Sequence, residues 1–175
     1  YFNTEGSCNP KEHYMVKLDN RLERIKRLLV ERKKYFVINR GRQYGKTTTL
    51  RALEKYLMDE YIILSLDFQQ LGTKDFADEA TFSDAFADIM IRAFHINNTD
   101  DSEELLKPLS GIRAEGSIGL KDLFVRLSDV CRNSPRPMVL MIDEVDSASN
   151  NQVFIDFLAQ LRSYNLYRDK MPIFH

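Results

Sequence analysis

The sequence predicts an α/β domain with a parallel sheet between helices, and three observations predict it. Strand-like apolar runs alternate with stretches of helical period along the chain, the pattern of crossover units. Met138-Val139-Leu140-Met141-Ile142 is apolar without alternation, as in a strand buried on both faces. Two polar motifs, Gly45-Lys46-Thr47 and Asp143-Glu144, sit close behind apolar runs, where parallel sheets place ligands.

The elements follow in order. Residues 1–16 show no clear period and read as an N-terminal arm. Residues 17–33 read as a helix, since Leu18, Leu22, Ile25, Leu28 and Leu29 recur at helical spacing among Lys and Arg. Tyr35-Phe36-Val37-Ile38-Asn39 is short, aromatic and β-branched, which predicts a buried strand. A glycine-bounded loop, 41–45, precedes a helix over 47–59. Tyr61 to Phe68 predicts a second strand, and Phe76 to Phe94 a helix with Phe82, Phe86, Ile89, Met90 and Ala93 inward. Residues 97–117 hold an acidic cluster, Pro108 and two glycines, and read as a surface insertion. A helix from Leu120 to Cys131 ends before Ser134-Pro135-Arg136-Pro137. The third strand, 138–142, then leads to a helix over 153–164. The chain starts without Met and stops at Met171-Pro172-Ile173-Phe174-His175, which reads as the opening of another strand. The expected core, 17–175, is therefore C-terminally incomplete, cut before its fourth strand is finished.

The chain has 175 residues, 43% hydrophobic and 29% charged, which suits one globular domain. Its net charge of −1 supplies no overall basic field, so nucleic-acid binding is unsupported by the total. Cys8 and Cys131 lack metal-like spacing and read as free thiols. No apolar run approaches the roughly 18 residues that span a bilayer, and the N-terminus does not resemble a signal peptide. A cytoplasmic protein without a membrane partner is expected. His13, His95 and His175 are scattered and form no cluster in sequence.

Arg40-Gly41-Arg42-Gln43-Tyr44-Gly45-Lys46-Thr47-Thr48 lies between the first expected strand and its helix. Backbone N–H groups of such a loop cradle phosphate at the positive end of the helix dipole. Gly45 would let the backbone approach, Lys46 would bridge the β- and γ-phosphates, and the Thr47 hydroxyl would ligate Mg²⁺. The phosphate-loop pattern G-x-x-x-x-G-K-[ST] is not met in full, because Arg40 stands at the first glycine position. Gly41, Arg42, Gln43, Tyr44 and Thr48 complete the candidate nucleotide contacts. About 95 residues later, Asp143 would hold Mg²⁺ and Glu144 would polarise the attacking water. Gln69, at the end of the second strand, could contact Glu144, with Asp67 as its rival. Asp146 could be a supporting acid behind the site or a helix cap for the segment after it, and the cap is the favoured reading. Tyr14 and Met15 could flank an adenine ring.

The segment from Tyr35 to Leu50, the Leu66-Asp67-Phe68-Gln69 strand end and Ile142-Asp143-Glu144-Val145-Asp146 resemble the bacterial AAA-ATPase-like family. The resemblance runs from about His13 to the end, and relatives share the departure at Arg40. It implies a three-layer α/β/α P-loop NTPase core with ATP and Mg²⁺ as cofactors and with ATP hydrolysis as its activity. It also implies other copies of the chain or a downstream effector domain as partners. Some relatives carry a restriction-endonuclease-like domain; no nuclease activity is predicted here. The expected function is a Mg²⁺-dependent ATPase that couples hydrolysis, with Glu144 and Lys46 catalytic, to conformational change in a larger protein. The alternative is a nucleotide-binding switch with little turnover.

Overall fold

The computed structural model describes residues 18–39, 45–97, 103–112, 116 and 118–175. The arm, Arg40 and the loop residues Gly41 to Tyr44 lie outside the described residues, as do Cys8, His13, Tyr14 and Met15. The chain forms two compact units, Tyr1–Glu60 and Tyr61–His175.

In the first unit, helix α1 spans Asp19–Ile25 and continues as a π-helical stretch, Lys26–Val30. The wider winding shows in Glu31 N–H donating to the Lys26 carbonyl and Lys34 N–H to the Leu29 carbonyl, both 2.9 Å and both five residues back. Leu22 and Val30 are its buried residues. Helix α2, Lys46–Leu57, buries Thr49, Leu53 and Leu57, one residue per turn on one side. Lys26 pairs with Glu60 and also sits 6.0 Å from the centre of the Tyr56 ring. The Glu60 carboxylate raises the Lys26 pKa by accepting its hydrogen bond.

Tyr35–Asn39, expected as a buried strand, is not one here. The backbone carries no ladder, and Tyr35, Phe36 and Val37 are exposed, Val37 at 85%. Aromatic and β-branched composition favours a strand only where neighbouring strands and a covered face reward it. No such neighbour pairs with this segment among the described residues.

The second unit holds a two-stranded parallel sheet, β1 (Ile62–Asp67) beside β2 (Met138–Asp143). Their register runs from Ile62 opposite Met138 to Asp67 opposite Asp143. Parallel strands need a long crossover, supplied here by α3 (Glu79–Asn97), α4 (Glu103–Ser110) and α5 (Leu120–Asn133). Helix α6, Gln152–Leu166, follows β2. The structure is thus mixed α/β, with six α-helices and a small parallel sheet among the described residues.

Helix α3 packs on β1, and α4 packs on both α3 and α5. Asp78 opens α3 by accepting the Thr81 N–H at 2.8 Å, which lowers its carboxyl pKa. Glu79 reaches across to accept the Leu120 N–H at 2.9 Å, so α3 supplies the cap that Gly119 cannot give α5. The core between the helices is aromatic. Phe157 of α6 lies 4.8 Å from Phe86, 5.3 Å from Phe82 and 5.4 Å from Phe124.

Residues 97–117, read as a surface insertion, include α4, whose Leu106 and Leu109 are buried together with Ile112. Their spacing of three residues places all three on one helical side. At the C-terminus, 172–175 belongs to no helix or strand. His175 N–H donates to the Met138 carbonyl at 2.7 Å, and Ile173 and Phe174 are buried. This is one bond of a strand pairing and not yet a ladder.

Cys131, on α5, is partly buried, and desolvation pushes its thiol up to about 12 from 9.0. The thiolate is the nucleophile. In a Cys8→Ser background, Cys131 is expected to react with iodoacetamide at pH 8 at least about tenfold more slowly in the folded chain than in urea. Equal rates would exclude the burial account. A raised folded pKa stabilises fully below the unfolded value. Its contribution therefore fades as pH climbs from 9.0 towards 12, by roughly 1.4 kcal/mol per unit.

Candidate functional site

The first motif begins α2. Gly45 adopts a left-handed backbone, φ 74°, immediately before Lys46, the first helical residue. Glycine takes that conformation without the cost a Cβ imposes. Having no side chain, it also leaves the helix start without a side-chain cap. The buried Thr49 hydroxyl donates to the Gly45 carbonyl at 2.8 Å and fixes the turn from within the helix. Lys46, Thr47 and Thr48 therefore lie in the first turn, half-buried, on a fixed backbone. Sequence reasoning missed Thr49. Its hydroxyl four residues after the motif glycine is the signal that could have found it.

The second motif ends β2. Asp143 is the last strand residue, opposite Asp67 in the parallel register, so two carboxylates close the C-terminal edge of the sheet. Asp67 is turned to its own chain. Its Oδ1 accepts the Gln69 N–H at 2.9 Å and starts the 3-10 turn Phe68–Gln70. That turn packs against the 3-10 turn Val145–Ser147 that follows β2. Phe68 anchors it, fully buried with its ring 5.5 Å from Phe154. Gln69 itself is exposed.

Glu144 stands between β2 and its turn with φ 57° and ψ 37°. A left-handed conformation at a residue other than glycine costs roughly 1–3 kcal/mol and persists only where surroundings impose it. Here both sides of the residue are held. Its N–H donates to Asp143 Oδ1 at 3.0 Å, and its carbonyl accepts from the Ser147 hydroxyl at 3.1 Å. Ser147 escaped sequence reasoning, although a hydroxyl three residues after the motif glutamate was there to be read. Asp146 sits inside the 3-10 turn and does not cap α6, whose cap position is Asn151. The hydroxyl of Ser149 donates to the Asp146 carbonyl at 2.8 Å.

Comparison with protein-family models, curated proteins and solved structures finds no match.

Chemically, the two motifs differ. A helix start opened by a left-handed glycine and carrying Lys46 suits an anion, through N–H groups and the helix dipole. A strand ending in Asp143, one oxygen fixed by the next N–H, suits a hard dication that takes oxygen ligands. Among the described residues there is no group of three or more His, Cys, Asp or Glu side chains that could hold a metal alone. Magnesium bound chiefly by phosphate and water needs only one or two protein oxygens and no such cage. Nor is any helix among the described residues long and apolar enough to cross a membrane.

Proposed function

We propose that the chain binds ATP with Mg²⁺ and hydrolyses it as an AAA-like P-loop ATPase domain. The observation that carries this reading is the left-handed Gly45 placed directly before Lys46 and Thr47 at the start of a twelve-residue helix. A helix that begins this way presents backbone N–H groups to a phosphate, and Lys46 adds a mobile positive charge. Thr47 and Asp143 would hold the ion, which supplies charge neutralisation on the β- and γ-phosphates. Glu144 would orient water and accept its proton. The left-handed backbone of Glu144, unusual for a residue other than glycine, supports this, since such outliers gather at working sites. Asp143 then has two tasks, holding the ion and fixing the Glu144 N–H.

Binding tests the reading directly. Mg-ATP titrated into the full chain by calorimetry should give a saturable isotherm, and Lys46→Ala should weaken it by about one to two orders of magnitude. That corresponds to the 1.5–3 kcal/mol of hydrogen bonds made by a charged group. Equal affinity in both proteins would reject the site.

A further inference from the structure

The net charge of −1 hides a division. Tyr1–Glu60 carries 14 Lys and Arg against 8 Asp and Glu, a net of +6; Tyr61–His175 carries 11 against 18, a net of −7. Most of the first unit's excess lies in 18–39, where seven Lys and Arg (from Arg21 to Lys34) face three acids, Asp19, Glu23 and Glu31. A solvated helix face normally mixes the two signs more evenly.

The geometry adds a place for a ligand. Along α1 and its π-helical extension runs a groove of about 600 Å³ lined by Asn20, Arg21, Arg24, Ile25, Leu28 and Leu29. Its floor is apolar and half-buried, while Arg21 and Arg24 stand exposed at its rim. Arg27 and Arg32 are exposed on the same element and in the turn after it. The chain then presents two aromatic rings to solvent, Tyr35 at 39% and Phe36 at 37%, outside any helix or strand. Cations along a helix followed by exposed rings are the two components single strands require. The first neutralise phosphates and the second stack on unpaired bases.

We propose that the segment from Arg21 to Phe36, with Arg21 and Arg24 on the groove and exposed Arg27, Arg32 and Phe36 beyond it, binds single-stranded nucleic acid. The proposal is independent of the ATP reading, because none of these residues belongs to either motif. Backbone phosphates lie along the arginines, and bases stack on Phe36 and Tyr35. Duplex is disfavoured, since its bases already stack on one another. Recognition is sequence-tolerant, because every base offers a π-face.

The test is fluorescence anisotropy of a labelled oligothymidylate of about 20 nucleotides, several site lengths. It uses the full chain without nucleotide at about 50 mM salt, where electrostatic binding is strong. Binding in the range of about 10⁻⁶–10⁻⁴ M is expected, weakening steeply with salt. The double variant Arg21→Gln/Arg24→Gln should lower affinity at least about tenfold and flatten the log–log salt slope by about one unit or more. Phe36→Ala should weaken the single strand about fivefold or more, with the slope unchanged, while heparin binding stays as it was. Circular dichroism melts matching the parent exclude unfolding as the cause; should the double variant melt early, Arg24→Lys with its charge kept must restore binding. No binding by the parent, an unaffected double variant, or equal binding of duplex would overturn the proposal. So would a double variant whose sedimentation changes while its DNA affinity does not, which would give the face to a second copy.

Discussion

Glu144→Gln is expected to lower ATP turnover by about two to four orders of magnitude, the usual contribution of a positioned general base. Mg-ATP affinity should stay within a few-fold, since the substitution leaves Lys46 and Asp143 in place. Glutamine keeps the shape of glutamate, so the left-handed backbone at φ 57° and its bonds to Asp143 and Ser147 can persist. What is lost is the capacity to accept a proton. Glu144→Gly separates the two roles of the position. It should also abolish turnover, yet raise stability by about 1 kcal/mol by relieving the left-handed strain. A phosphate-release assay beside a urea melt reads both. Turnover unchanged in Glu144→Gln would favour the switch without hydrolysis and would leave nucleotide binding standing.

Phe157→Ala should cost about 3–5 kcal/mol, the range for deleting a large buried aromatic side chain. Phe157 is fully buried and joins Phe82 and Phe86 of α3 to Phe124 of α5, with ring separations of 4.8–5.7 Å within that group. Rings at such distances add to the value of area burial alone. A domain of this size has roughly 5–15 kcal/mol in total, so the variant should lose about a fifth or more of its urea midpoint with the slope unchanged. A loss below about 1 kcal/mol would mean the pocket collapses onto the gap.

The second unit was readable because its elements carry strong periods. Phe154, Phe157 and Leu161 mark α6, and the unbroken Met138–Ile142 run marks β2. Helix α4 was hidden by two acids at its start and Pro108 within it, although Leu106, Leu109 and Ile112 kept the helical beat. Tyr35–Asn39 shows the opposite error. Local composition predicted burial, but burial depends on a partner the segment itself cannot specify. At the site, the position of Asp143 at a strand end followed from sequence. The backbone of Glu144 did not, because glutamate has no preference for the left-handed region and only the turn that follows imposes it.

The pairing of β1 with β2 brings Ile62 beside Met138, two residues separated by three helices. Such a contact closes a long loop before it yields any bond, which is an entropic cost that local contacts do not carry. The helices between can close earlier on nearby contacts, and the Glu79–Leu120 bond ties the first to the last. A nascent chain would present the Asp67 and Asp143 carboxylates together only after β2 has been made.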